Sequence, residues 1–142
     1  MKPVQVKGIM DFDKEFKVLK YKNGEKGVEV VTPFYTHLDS NEKACALLVN
    51  RGWLPWDLKD YRFDRRVDVT KVKGVLYRGD NKFEGANHNS PALNDWVNVY
   101  PEEMAVVGQI PNKEAHQFML KAIDLDESIP TAMPDVPSKS SL

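Results

Sequence analysis

Apolar side chains recur at every second residue along most of this chain, and this period constrains its fold more than any other feature. Alternation places one set of side chains on each face of an extended strand, and a short apolar run is typical of a strand buried on both faces. Seven segments show one of these patterns between turn residues such as Asn23-Gly24. The predicted strands lie near residues 4–10, 16–21, 28–34, 44–53, 69–77, 96–99 and 117–124.

Two segments interrupt the strand pattern. Pro33 cannot donate a backbone hydrogen bond, which predicts an edge or a bulge at the end of the third strand. Residues 57–66 are mostly polar with scattered apolar side chains, which favours a loop or one irregular helical turn.

One short helix is predicted at 101–108. Pro101 takes the first helical position, two glutamates follow near the positive end of the helix dipole, and Gly108 ends the helix. Many short strands with one helix predict a mainly β fold with a minor α component, a small antiparallel β barrel or sandwich of about seven strands. In this prediction residues 1–128 form a single domain, and residues 129–142 form a proline- and serine-rich extended tail.

A weak internal repeat links the first and fifth predicted strands. Segments 6–10 and 72–76 both read Val-Lys-Gly followed by two apolar residues. Equivalence of the two segments would place Gly8 and Gly74 at two strand bends and would favour a closed barrel. Chance similarity explains two such short segments more simply.

Composition excludes several classes of protein. Hydrophobic residues make up 42% and charged residues 29%, which is typical of a soluble globular protein rather than a disordered one. Twenty basic and twenty-one acidic residues give a net charge of -1, so bulk charge provides no reason to bind nucleic acid or an anionic membrane surface. Cys45 is the single cysteine, which excludes an internal disulfide, and its apolar surroundings indicate a buried structural thiol.

No segment of the sequence has the character of a targeting or membrane-spanning element. Strand character begins almost at once, and no apolar stretch approaches the length of a transmembrane helix. We therefore expect either that the chain is cut from a larger protein or that it is addressed by other means.

Catalytic and metal-binding patterns are missing from the sequence. The histidines are His37, His88 and His116, and none has a second histidine at ligand spacing. His88, inside Asn-His-Asn-Ser-Pro, is a weak candidate ligand, although a hydrogen-bonding role in a loop explains it more simply. Asp11 and Asp13 are explained by turn chemistry. The sequence therefore predicts a protein that is not an enzyme and that holds no metal site.

The segment 47–56, Leu-Leu-Val-Asn-Arg-Gly-Trp-Leu-Pro-Trp, is the most distinctive stretch of the chain. A buried strand there gives way to an amide, a guanidinium and a glycine, which predict a fixed turn. Arg51 can bind a carboxylate or backbone carbonyls. One interpretation is that the corner closes one end of a barrel; the other is that Trp53 and Trp56 present a docking surface. Trp56 follows Pro55 outside the strand and is the residue expected to be most exposed.

A second polar group lies at residues 87–91, before Trp96 and the predicted helix. Asn87 and Asn89 can bridge backbone groups of the loop, and Trp96 offers a large apolar area with one N–H donor. Both interpretations, structural closure and docking surface, apply to these residues as well.

Four of these segments together resemble the surfeit locus protein one family, whose members assist assembly of cytochrome c oxidase. The blocks are residues 30–34, 48–55, 72–76 and 87–91, and they are followed by Trp96. Their order and approximate spacing match the family from about Pro3 to Asp124. Val-Asn-Arg-Gly-Trp-x-Pro is the specific block, and Met104-Ala105 also fits the family pattern.

The resemblance implies a soluble domain that the family carries between two membrane helices, facing the mitochondrial intermembrane space at the inner membrane, or the periplasm in bacteria. It implies a non-enzymatic assembly factor or accessory subunit of respiratory complex IV, with oxidase subunits or assembly intermediates as partners. Membrane association would come through those partners or through helices that this sequence lacks.

The alternative implied by the resemblance is a domain that binds and delivers haem a, with the mouth of the barrel as its pocket. Cofactor binding by this chain is otherwise not expected from its residues. The residues expected to form a docking or structural signature are Arg51, Trp53, Trp56, Asn87, Asn89, Pro91 and Trp96.

Overall fold

A computed structural model describes residues 3–38, 44–60, 70–110 and 112–125 of the chain. Within these ranges the protein is mainly β, which confirms the predicted fold class. Six strands and one α-helix are present in the described residues, where about seven strands were expected. They are β1 Val4–Met10, β2 Phe16–Lys22, β3 Glu25–Leu38, β4 Ala44–Pro55, β5 Thr70–Tyr77, β6 Met119–Leu125 and α1 Pro101–Val107.

The six strands form one sheet that curls into a ring. Their order is β1-β5-β6-β4-β3-β2, and β1 also pairs with β3 through Ile9 opposite Tyr35. β2 extends β3 outside the ring. All the pairs are antiparallel except β4 with β6, which run parallel from Leu48 opposite Met119. The sheet is therefore ring-like rather than a strict barrel.

Apolar side chains fill both faces of the ring. The strand alternation directs one cluster inward, with members from β1, β3, β4, β5 and β6. The opposite face of β2, β3, β4 and β6 is covered by α1 and the segments on either side of it. There the ring of Trp96 meets Phe16 edge to face, with 5.1 Å between ring centroids. Sheet and helix thus share one continuous outer core.

Pro33 lies inside β3 and neither ends that strand nor forms a bulge with β4, where it pairs with Leu48. Its carbonyl accepts the N–H of Asp11 at 2.8 Å. Because the backbone N and O of a strand residue point to the same side, the missing N–H faces Asp11 rather than β4. Pro33 therefore stands where β3 changes partner from β2 to β1. On that side it has no ladder partner among the described strands, which fits the predicted edge, whereas the register shift of β3 against β4 lies beyond it, between Tyr35 and His37.

The strand predicted at 96–99 is also wrong. Trp96 makes only an isolated bridge to Val18. The backbone N–H groups of the next two residues both donate to Oδ1 of Asn89 at 2.8 Å, so they are not available to a sheet. A side chain from a neighbouring loop has replaced the strand ladder.

Other boundaries follow the sequence more closely. One irregular turn, Trp56–Leu58, opens the segment predicted as loop or helical turn. The last strand is Met119–Leu125, within two residues of its predicted bounds. Residues 61–69 and the predicted tail 129–142 lie outside the described residues.

Gly8 and Gly74 occupy equivalent close approaches between strands. β1 and β5 pair with Val6 directly opposite Val72, which relates the two similar segments about that pair. A methyl group on Gly8 would overlap the carbonyl oxygen of Tyr35, and one on Gly74 would overlap that of Lys121. The repeat therefore corresponds to two places where only glycine admits a neighbouring backbone.

Gly8→Ala is expected to lower the free energy of unfolding by about 2–3 kcal/mol, because the added methyl group forces β1 away from β3 at the closure of the ring. Urea denaturation followed by circular dichroism measures the change. Gln5→Ala, at an exposed position of the same strand, is the control and should change stability by less than about 0.5 kcal/mol. Equal stability of Gly8→Ala and the wild type would contradict this close approach.

Candidate functional site

Strand β4 bulges at the centre of the most distinctive sequence segment. Asn50 pairs with Val31 and Trp53 pairs with Glu29, so two residues of β4 oppose one residue of β3. Gly52 has a φ of 108°, which favours glycine, and its N–H donates to Oδ1 of Asn50 at 2.9 Å. The predicted fixed turn is therefore a bulge inside a continuous strand.

The buried amide of Asn50 joins three strands on the outer face of the ring. Its Nδ2 donates to the hydroxyl of Tyr77 at 2.8 Å and to a carboxylate oxygen of Glu29 at 3.2 Å. Burial raises the pKa of Tyr77 above its ordinary value, and the charges of Glu29 and Asp80 raise it further, although the hydrogen bond from Asn50 acts the other way. Tyr77 is thus held in its neutral form.

Arg51 points the opposite way, into the ring, and is buried. Its Nη1 lies 2.5 Å from Oε2 of Glu15, and the hydroxyl of Thr32 donates to the same oxygen at 3.1 Å. The guanidinium carbon lies 5.1 Å from the ring centroid of Phe12. The predicted contact of Arg51 with a carboxylate is therefore observed inside the domain. Since the guanidinium is buried, it offers no surface to another protein.

The two tryptophans of the corner differ in exposure. Trp53 is only 4% exposed and donates its indole N–H to the carbonyl of Lys20 at 3.0 Å, which fits the closure interpretation for this residue and not the docking one. Trp56 is 37% exposed, as the position after Pro55 predicted. The ammonium groups of Lys26 and Lys59 lie 3.9 Å and 4.9 Å from its ring centroid. Only Trp56 of this pair is available as an anchor.

Asn89 organises the second polar group. Besides accepting two backbone N–H groups, it donates to the carbonyl of Asn98 and to the carboxylate of Glu103, both at 3.1 Å. Asn87 takes part through its backbone carbonyl, which accepts from the side chain of Asn98 at 2.5 Å. The predicted bridging is therefore observed for the side chain of Asn89, which also attaches the loop to α1, whereas Asn87 contributes its backbone.

Trp96 is buried, and its indole N–H donates to Oδ1 of Asn94 at 2.8 Å. Asn94 has a φ of 52° and ends a short exposed turn, Pro91–Leu93. Pro91 is exposed at the start of this turn. The buried Trp96 thus stabilises the turn through Asn94, while Pro91 lies on the exposed side of the turn.

Among the described residues, the side chains that line the cavities do not fit a haem site. A cavity of about 360 Å³ opens at one end of the ring beside Val6, Thr36 and Leu47, and Cys45 is the only side chain with a soft ligand atom among the described residues that line it. His88 is exposed and lines neither this cavity nor two others, one beside Lys22 and Trp53 and one beside Val106 and His116. In the described part of the chain, no group of three His, Cys, Asp or Glu side chains could hold a metal ion.

Sequence reasoning missed both the partners of the buried polar groups and one apolar surface. Glu15 and Tyr77 are far from Asn50 and Arg51 along the chain, and no local pattern links them. The apolar surface could have been predicted from the sequence. Four successive apolar residues, 104–107, cannot all face inward on one helix, so two of them had to be exposed. Val106 and Val107 are those two.

Comparison with known proteins gives one result for nearly the whole chain. Residues 1–139 match the family model described as the SURF1 family. No curated protein matches the chain. Among the described residues, no helix is both long enough and apolar enough to cross a membrane.

Arg51→Met is expected to lower the free energy of unfolding by about 3–5 kcal/mol, because it leaves the carboxylate of Glu15 buried without its guanidinium. Urea denaturation followed by circular dichroism measures the loss. The double variant Arg51→Met/Glu15→Leu removes both charges and should recover most of it. Lys59→Met is the control, since its partner Asp60 is exposed and the change should leave stability nearly unaltered. A double variant no more stable than Arg51→Met would contradict this assignment.

Tyr77→Phe is expected to weaken the loss of stability at alkaline pH. The folded-state pKa of Tyr77 is raised above the ordinary value of 10.0, so its contribution is complete below pH 10.0 and declines as the pH rises toward the folded-state pKa. In that range the wild type should lose about 1.4 kcal/mol more per pH unit than Tyr77→Phe. Urea denaturation at about pH 8 and pH 11 compares the two proteins. Parallel losses in both would show that Tyr77 does not titrate differently on folding.

Proposed function

Because the chain belongs to the SURF1 family, we propose that it is a non-enzymatic interaction domain that docks onto cytochrome c oxidase or its assembly intermediates. The SURF1 family is associated with assembly of cytochrome c oxidase. The match over residues 1–139 is the observation that carries this proposal. In a mitochondrion the domain acts at the inner membrane on its intermembrane-space side, and in a bacterium on the periplasmic side, as assembly factor or accessory subunit.

The geometry of the distinctive corner supports a docking role rather than chemistry. Arg51 and Asn50 are buried and satisfy carboxylate and hydroxyl partners inside the domain. Their bonds fix the path of β4 up to Pro55, so Trp56 is held at a defined place on the surface. An indole held in this way loses little conformational freedom on binding, which is the property of interface anchors.

The lysines beside Trp56 add a second reason. Lys26 extends from β3 and Lys59 follows the Trp56–Leu58 turn, so the indole lies between two cationic groups. Tyr21 pairs with Lys26 across the β2–β3 hairpin and is exposed. Aromatic side chains with cationic groups around them favour a partner surface that combines an apolar pocket with carboxylates.

Trp56→Ala is expected to reduce retention of the oxidase about tenfold when the tagged protein is recovered from its native membranes in mild detergent. Quantitative mass spectrometry of the co-purified oxidase subunits gives the measurement. Leu76→Ala is the matched control, because Leu76 is 39% exposed, compared with 37% for Trp56, and lies on β5. Complete absence of oxidase subunits with the wild type would refute the proposed function. Full retention by Trp56→Ala would show that Trp56 is not the anchor.

A further inference from the structure

A second exposed apolar surface lies at the other end of β4 from Trp56. The side chain of Asn112 binds both backbone groups of Ala46, near the start of β4, at 2.9 Å and 3.0 Å, whereas Trp56 follows the end of the strand. Directly after Asn112 comes a turn, Lys113–His116, that packs against α1. The two surfaces can therefore be changed independently of each other.

We call this second region the helix-turn surface and define it by Pro91, Leu93, Val106 and Val107. Leu93 is 79% exposed and Val106 is 68% exposed, while Met104 and Ala105 of the same helix are completely buried. A cavity of about 460 Å³ is lined by Pro91 of the turn, by Val106 and Val107 of the helix and by His116, and Leu93 lies two residues after Pro91 on the same turn. An exposed turn and an exposed helix edge thus form the two walls of one apolar groove.

The walls of this groove are fixed before any partner binds. Asn89 connects the loop to α1 through Glu103, and Asn94 ends the turn on the indole of Trp96. On the other side the ring of His116 hydrogen-bonds to the carbonyl of Ile110 at 3.0 Å. Leu93 therefore stays exposed on a rigid support, where it cannot reach the core to be buried.

The charge around the helix-turn surface is acidic. Residues 81–116, the segment that contains every residue lining the groove, carry five carboxylates and two lysines, a net charge of −3 with histidine neutral, whereas the whole chain carries -1. Lys14, from outside this segment, reaches the end of α1 and donates to the carbonyl of Gly108 at 3.2 Å. Glu102 and Glu103 line the groove itself. Lys82 contacts both of them and offsets only part of this charge. The sign opposes an anionic lipid surface and complements a basic partner.

We infer that the helix-turn surface binds a basic amphipathic helix of a partner protein. Apolar side chains spaced three or four residues apart on that helix fill the groove beside Leu93 and Val106, and its lysines or arginines face Glu102 and Glu103. This inference deepens the proposed function, on which it rests, by naming the surface and the chemistry of the oxidase-associated segment that it binds.

A model peptide tests the inference directly on the whole chain. The probe is a synthetic peptide of about 18 residues with leucine on one helical face and lysine on the other, and its counterpart has glutamate in place of lysine. Isothermal calorimetry should show binding of the lysine peptide and at least about fivefold weaker binding of the glutamate peptide. Failure of the lysine peptide to bind, or equal binding of both, would overturn the inference.

Variants locate the binding on this surface. Leu93→Ser/Val106→Ser should weaken binding of the lysine peptide about fivefold or more, and Glu102→Gln should weaken it and reduce its dependence on salt. Tyr21→Ser is the matched control, because Tyr21 is 65% exposed and lies on the hairpin beside Trp56. A loss of binding in Tyr21→Ser with none in Leu93→Ser/Val106→Ser would contradict the assignment. Sedimentation of the free protein checks for self-association, and a dimer abolished by Leu93→Ser/Val106→Ser would assign the surface to a second copy instead.

Recovery of the oxidase from native membranes separates this inference from the proposed function. If the wild type and Leu93→Ser/Val106→Ser retain equal amounts of oxidase subunits, the function stands and the inference fails. If the wild type retains none while the lysine peptide binds as expected, the function fails and the surface still has its stated chemistry.

Discussion

The bulge of β4 is the constraint on which the rest of the structure depends. Ordinary strand alternation puts Asn50 on the outer face and Arg51 inside the ring, and the extra residue of the bulge returns Trp53 to the outer face, opposite Glu29. Asn50 meets the hydroxyl of Tyr77 and Arg51 meets the carboxylate of Glu15, two groups that are distant in sequence, so the buried polar side chains at the bulge are paired. The positive φ of Gly52 makes this arrangement possible, since few other residues adopt it without strain.

Period, turn residues and helix caps were sufficient to predict the fold class, α1 and the exposure of Trp56. These features depend on interactions between residues close in sequence, which a pattern can show. The strand predicted at 96–99 failed because Asn89 takes the backbone N–H groups that a neighbouring strand would need. The burial of Trp53 could not be predicted, because it depends on Gly27 of β3, which has no side chain and leaves room for the indole. No pattern close to Trp53 in sequence indicates that space.

The distribution of charge over the surface could not be predicted from the sequence either. The net charge of -1 is a sum over the whole chain, and it conceals the −3 carried by residues 81–116. The balance is restored elsewhere by lysines such as Lys22 and Lys26, which lie beside the two tryptophans of the corner. Only the fold shows that the acidic and the lysine-rich groups lie toward opposite ends of β4. The recognition properties of the domain thus depend on where the charges lie rather than on how many there are.

Most residues that carry the family resemblance are buried, and this has a consequence for how they act. A domain of this size is stabilised by about 5–15 kcal/mol in total, so losing a buried ion pair at about 3–5 kcal/mol consumes a large share of it. Changes at Arg51 therefore act first on the fraction of folded protein, and only through that fraction on binding. Changes at Trp56 or Leu93 leave the buried contacts intact and act on binding directly. The buried residues of segment 47–56 accordingly stabilise the fold, while the exposed surfaces toward either end of β4 provide the contacts with partner proteins.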